Sequence, residues 1–154
     1  MNGKEFLSRT WEILPEIRYH TERIADLRAG AERMTALLHE VKTNGGNAFV
    51  ASRLEEAITE AAAEEQKALE ARFCMELTRL EISRTISRLR NGTSKLVLEK
   101  RYVQMKDWAT IATEMDKSIE NIYKIHSEAC KLVTLLVNPG VKHGKALSAQ
   151  GRNL

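Results

Sequence analysis

A chain of 154 residues, 43% hydrophobic and 29% charged, is sized for one compact domain or for a small domain carrying an extended helical appendage. No apolar run approaches the roughly 18 residues that a bilayer crossing needs, and Met1 to Thr10 lack the apolar core of a secretory signal, so membrane and export functions are set aside and a cytoplasmic location is expected. The net charge of +3 is unevenly placed: residues 1–90 hold 14 Lys and Arg against 15 Asp and Glu, whereas residues 91–154 hold 10 against 6, which suits the back of the chain to a polyanion.

Breaks are few: Pro15, the stretch Thr43 to Asn47, Asn91-Gly92 and Asn138-Pro139-Gly140. Met1 to Leu14 reads as helical, with Pro15 expected to break or kink it by removing a backbone donor. From Pro15 to Val41 the residues Ile17, Ile24, Leu27, Ala31, Met34, Leu38 and Val41 return at helical intervals and predict one apolar stripe. A second long helix is predicted over Ala48–Arg90, with Leu54, Ile58, Ala61, Leu69, Phe73, Leu77, Leu80, Ile86 and Leu89 facing inward and Glu55-Glu56 and Glu64-Glu65 on the solvated face. Two such helices bury their stripes by folding back as an antiparallel, coiled-coil-like hairpin with its loop near 43–47, or by pairing with a second copy as a homodimer. Three shorter helices follow: Ser94–Gln104, Asp107–Met115 and Ile119–Val137, with Ser94, Asp107 and Ser118 as expected caps. The expected organisation is thus all-α: a helical arm over 1–90, a small three-helix domain over 91–137 and a disordered tail over 138–154.

Catalysis and cofactors find no support in the pattern. Cys74 and Cys130 lie far apart within apolar helical stretches that suit buried thiols, and the four histidines, His20, His39, His126 and His143, show no zinc-type spacing. No serine or cysteine sits beside a base in a Gly-rich turn, and no phosphate-cradling glycine loop occurs. No cofactor, metal or enzymatic activity is expected.

The segment 107–137 meets the steric needs of a helix-turn-helix, in which two short helices cross steeply around a small residue and a tight turn. Ile111 and Met115 are the expected anchors of the first helix, Ala112 the small contact, and Asp116-Lys117-Ser118 the turn, with Asp116 where glycine is usual. The second helix is expected to bury Ile122, Ile125, Ala129, Leu132 and Leu136. Ser118, Glu120, Asn121, Tyr123, Lys124, Ser127 and Lys131 are then left as the DNA-binding set. Lys124 and Lys131 suit phosphates, Glu120 a cytosine amino group, and Asn121 an adenine edge. Trp108 and Tyr102 are expected to pack the core, His126 to be a packed or capping side chain, and Arg101 to be solvated.

Leu98-Glu99-Lys100-Arg101-Tyr102, Trp108 to Ala112 and Ser118 to His126 resemble the fourth region of bacterial sigma factors. The longer frame of helical arm, Gly-Gly-Asn loop, second long helix and this motif, over roughly residues 20–135, is similar to the sigma-like regulators of phages and prophages. The resemblance implies binding of double-stranded, promoter-like DNA through Glu120, Tyr123 and Lys124, with RNA polymerase as a further partner. Ile119 and Asn121 stand where arginines are common in that family. A coiled-coil adaptor without DNA affinity, and a small-terminase-like phage packaging protein, are the alternative readings.

Overall fold

A computed structural model describes residues 1–40 and 47–140. The predicted loop short of Asn47, Val41 of the predicted stripe and the predicted tail from residue 141 onward lie outside the described residues. The fold is all-helical: α1 (Gly3–Glu40), α2 (Asn47–Ser87), α3 (Gly92–Leu98), α4 (Trp108–Glu114) and α5 (Ile119–Val137), with a π-helical turn at Glu99–Val103. No helix among the described residues is long and apolar enough to cross a membrane.

α1 opens on a reciprocal cap, in which the Asn2 Oδ1 accepts from the Glu5 amide (2.8 Å) and the Glu5 carboxylate accepts from the Asn2 amide (2.9 Å). Of the expected break or kink at Pro15, the break does not occur: the proline lies inside α1, which continues to Glu40. A proline removes one backbone bond, but residues on both sides of it are anchored, Leu7 and Thr10 by complete burial and His20 by a buried partner. The molecule comprises two compact units, Ile13–Met75 and Met1–Glu12 together with Glu76 onward.

In the unit Ile13–Met75, the buried α2 residues are Ala61, Glu64, Ala68, Ala71 and Met75, at alternating steps of three and four. Ala61 is buried as expected, but the rest of the expected inward stripe is corrected here, since Ile58, Leu69 and Phe73 are exposed while Ala68 and Ala71 face in. Small side chains let two helix backbones approach closely, and a periodic search weighted toward large apolar residues follows the wrong face. Cys74, expected to be buried, is exposed on that outer side. Glu64 is also corrected, from solvated to 5% exposed. Its carboxylate meets His20 Nδ1 at 2.5 Å, Arg23 Nε at 3.2 Å and Lys67 Nζ at 3.4 Å, which compensates burial of the charge. The His20 hydrogen bond is the main cause holding the Glu64 carboxyl below its ordinary range. Arg23 also pairs with Glu60, and Arg28 with Glu65.

In the other unit, the first turns of α1 bring Phe6 and Leu7 against Ile82 and Ile86 of α2, Leu98, Tyr102, and Ala129, Cys130 and Val133 of α5. Gly3 makes the closest approach. A Cβ there would lie 2.3 Å from the Cys130 carbonyl oxygen and 2.7 Å from the Thr134 amide, and the Gly3 amide donates to Thr134 Oγ1 at 2.7 Å. Leu77 and Leu80, predicted inward, are exposed at 54% and 48%, whereas Ile86 and Leu89 are buried as expected. The first twelve residues and the end of α2 thus share a core with α3 and α5, where a boundary near residue 90 had assigned them to an arm.

The cap of α3 is Asn91, whose side chain accepts from the Thr93 and Ser94 amides at 2.9 and 3.1 Å; the predicted cap Ser94 is instead a buried residue inside the helix. The helix predicted to run to Gln104 changes at Leu98 into the π-helical turn, and Met105 follows with a φ of 57°. This widened turn places two carbonyls toward α1: that of Arg101 accepts from Trp11 Nε1 (3.0 Å) and that of Tyr102 from Thr10 Oγ1 (2.9 Å).

Candidate nucleic-acid interface

α4 and α5 are set against each other by a second small core of Val97, Ile111, Ala112 and Ile122, flanked by Trp108, Met115 and Ile125. Asp107 caps α4, its carboxylate accepting from the Thr110 amide at 2.7 Å, and that amide is the main cause holding its carboxyl below the ordinary range. α4 ends on two crossed backbone bonds, from the Lys117 amide to the Ala112 carbonyl (3.0 Å) and from the Asp116 amide to the Thr113 carbonyl (3.3 Å). Closing them puts Asp116 at a φ of 52°, the left-handed conformation expected of it. Lys117 is exposed, and the corner is filled by Ile111, Ala112 and Ile122. Ser118 then caps α5, its hydroxyl accepting from the Asn121 amide at 3.2 Å.

α5 buries Ile122, Ala129, Cys130 and Val133, while Leu132, expected inward, is 43% exposed. The seven residues expected to meet DNA, Ser118, Glu120, Asn121, Tyr123, Lys124, Ser127 and Lys131, are all exposed. Among the described residues, Glu120 and Lys124 have no ion-pair partner, and Lys131 is joined only to Glu128 on its own helix (2.9 Å). Tyr123 rests edge-on against Trp108 with ring centroids 5.3 Å apart. Two other lysines of this region, Lys100 and Lys106, are spent on Glu114 at 2.7 and 2.6 Å, and their hydrogen bonds hold its carboxyl low.

Residues that sequence reasoning missed come from the start of α1. Lys4 lies between two depressions beside α5: a cleft of about 430 Å³ that includes Trp11, Arg101, Trp108, Tyr123 and His126, and a second of about 450 Å³ that includes Ser127 and Lys131. Neither lining contains a carboxylate; the first is largely aromatic with Lys4 and Arg101 as its cations, and the second is polar with Lys4 and Lys131. The Asn2 and Glu5 capping pair beside Gly3 was the available sign that this segment is an ordered helix start, but nothing in it names α5 as the neighbour. Arg101 is corrected from solvated to stacked: its guanidinium lies 4.3 Å from the Trp11 ring centre and 4.5 Å from that of Trp108, and it donates to the Lys106 carbonyl at 3.0 Å.

His126 stacks on Tyr102, whose hydroxyl is hydrogen-bonded to its Nε2 at 2.6 Å, with Cys130 Sγ 3.3 Å from the same nitrogen. Burial, then the positive charges of Lys4 and Arg101, push its imidazole from 6.5 down to about 4. Burial likewise raises Tyr102 to about 12 and Cys130 to about 11, so this trio is neutral at physiological pH and offers no thiolate nucleophile. The unfolded chain takes up a proton at His126 near 6.5 and the folded chain only near 4, so stability is whole above pH 6.5 and falls as pH drops through that window. Discounted for partial exposure of the ring, the loss is about 1–2 kcal/mol. Unfolding midpoints across that range should decline more steeply in the parent than in His126→Gln; equal declines would reject the assignment.

Among the described residues, no cluster of His, Cys, Asp and Glu could hold a metal ion. No protein-family model matches the chain, and no curated protein or solved structure is significantly similar to it.

Proposed function

We propose that the chain is a sequence-specific DNA-binding transcription regulator of the phage or prophage type, in which α4 and α5 act as a helix-turn-helix like that of sigma region four. On this reading the later part of α1 and the first part of α2 form an antiparallel helical arm, the pairing of His20 with Glu64 and of Arg23 with Glu60 and Glu64 being what supports it. The observation that carries the functional reading is the start of α5. A left-handed turn at Asp116 and a Ser118 cap precede a helix whose exposed residues Glu120, Asn121 and Lys124 have no side-chain partner among the described residues, so their hydrogen-bonding groups are open to base edges and phosphates. Tyr123, braced by Trp108, is held in one orientation at the groove. Ser127, Lys131 and Lys4 lie further along, suited to the sugar-phosphate backbone. The mechanism is binding without covalent chemistry. RNA polymerase is the proposed further partner, because one short motif offers few phosphate contacts.

Fluorescence anisotropy with labelled promoter fragments, titrated with and without RNA polymerase across a salt series, tests this. Lys124→Ala is expected to weaken binding about tenfold and to reduce the salt slope by about one. An unchanged slope would take α5 off the DNA. No affinity for any fragment at low salt, with or without polymerase, would leave a protein-interaction adaptor as the surviving reading.

A further inference from the structure

We propose that the cleft of about 430 Å³ walled by Trp11 and Trp108 is a binding site for a small molecule with a flat aromatic body and a carboxylate. Its whole lining belongs to the unit made of Met1–Glu12 and Glu76 onward. The size falls within the range of small-molecule sites, and both of the chain's tryptophans line it, together with Tyr102, Tyr123 and His126.

The cations decide the charge of the ligand. The Arg101 guanidinium lies over both indole rings and donates through Nη1 to the Lys106 carbonyl, while its other N–H groups have no acceptor among the described residues. Stacking holds this planar fork in place before any ligand arrives, and a carboxylate is its matching two-point acceptor. Lys4, exposed in the same lining, adds a second positive charge with no ion-pair partner among the described residues. After burial, these two charges are what depress the His126 imidazole, so both are felt at the same wall. Asp107, whose carboxyl also feels Arg101, is committed to the Thr110 amide and lies outside the lining. Two positive charges therefore face one concave, ring-lined space that holds no counter-charge. A phosphate of duplex DNA would answer the charges and leave the rings unused, and a neutral aromatic would do the reverse; an aromatic carboxylate uses both.

The test needs no nucleic acid, so this inference and the DNA-binding reading can fail separately. In proton–nitrogen correlation spectra of the labelled whole chain, the indole N–H groups of Trp11 and Trp108 report directly on the cleft. Indole-3-acetate should shift both signals saturably with a Kd below about 1 mM, and uncharged indole-3-acetamide should bind at least about tenfold more weakly. Acetate, which has the charge without the ring, should give no saturable shift up to about 10 mM. Arg101→Gln should abolish saturation by indole-3-acetate over the same range. Because Arg101 also packs the two indoles, Lys4→Gln is the variant that decides the matter if that one misfolds: Lys4 is exposed, and its loss should weaken binding about threefold to fivefold with the thermal midpoint unchanged. Equal affinity for indole-3-acetate and its amide, a Kd indifferent to Lys4→Gln, or no saturable shift with indole-3-acetate, whether or not a duplex promoter fragment moves the same signals, would overturn the proposal.

Discussion

Gly3→Ala should lower the unfolding free energy by about 3 kcal/mol, the upper end of what one added methyl costs in a tight core. The methyl would sit 2.3 Å from the Cys130 carbonyl oxygen and 2.7 Å from the Thr134 amide, and both are backbone atoms of α5 that cannot swing aside. Relief comes only by drawing the first turn of α1 away. That sacrifices the bond from the Gly3 amide to Thr134 and loosens Phe6 and Leu7 in the shared core. Gly92→Ala is the internal comparison, because a Cβ there meets nothing within 4 Å and lies in α3, where alanine gains up to about 1 kcal/mol. Urea unfolding of the two variants should move in opposite directions; a Gly3→Ala midpoint as high as that of Gly92→Ala would show that the close approach is not maintained in solution.

Ile122→Ala should cost about 3 kcal/mol, and on the proposed DNA-binding reading the affinity for DNA should fall more than the loss of folded protein explains. Ile122 is fully buried and is the α5 member of a cluster whose other buried residues are Val97, Ile111 and Ala112. So small a cluster has little material with which to refill the hole, and α5 would lose its seat against α4. Since the side chain cannot reach DNA, any affinity change must arise from misaligned neighbours such as Glu120 and Lys124. Leu132→Ala, at a 43% exposed position, is expected within about 1 kcal/mol of the parent. Thermal unfolding and anisotropy measured on the same samples separate the two effects, and equal losses in both variants would contradict the packing described.

Local chemistry proved readable from the chain. The caps at Asp107 and Ser118 and the left-handed Asp116 depend on side chains reaching two or three residues along, and these stand where composition placed them. The outward set on α5 was readable for a similar reason, since its period also returns Ile122, Ala129 and Val133 to the core. What failed was long-range. Ser94 lost the cap of α3 to Asn91 because two adjacent candidates compete and packing buries one of them. On α2, the seam continued by Ala68 and Ala71 was hidden by larger residues on another face, since hydrophobicity scales reward size while close helix contact rewards smallness. Arg101 between two indoles, and Lys4 beside α5, join segments from opposite ends of the chain, and no periodicity encodes such meetings.

The clasp between the first turn of α1 and α5 spans 131 positions, and the Asn138 side chain reaches 137 positions back to the Met1 carbonyl. During translation, the first turns of α1 must therefore wait for α5, which is made after them. Phe6 and Leu7 emerge from the ribosome with their α5 partners not yet synthesised, which exposes them to chaperones or to premature clumping until Val133 follows. Contacts of such span also slow a helical protein relative to a bundle built from neighbours, so this domain should refold more slowly than its helix content alone would suggest.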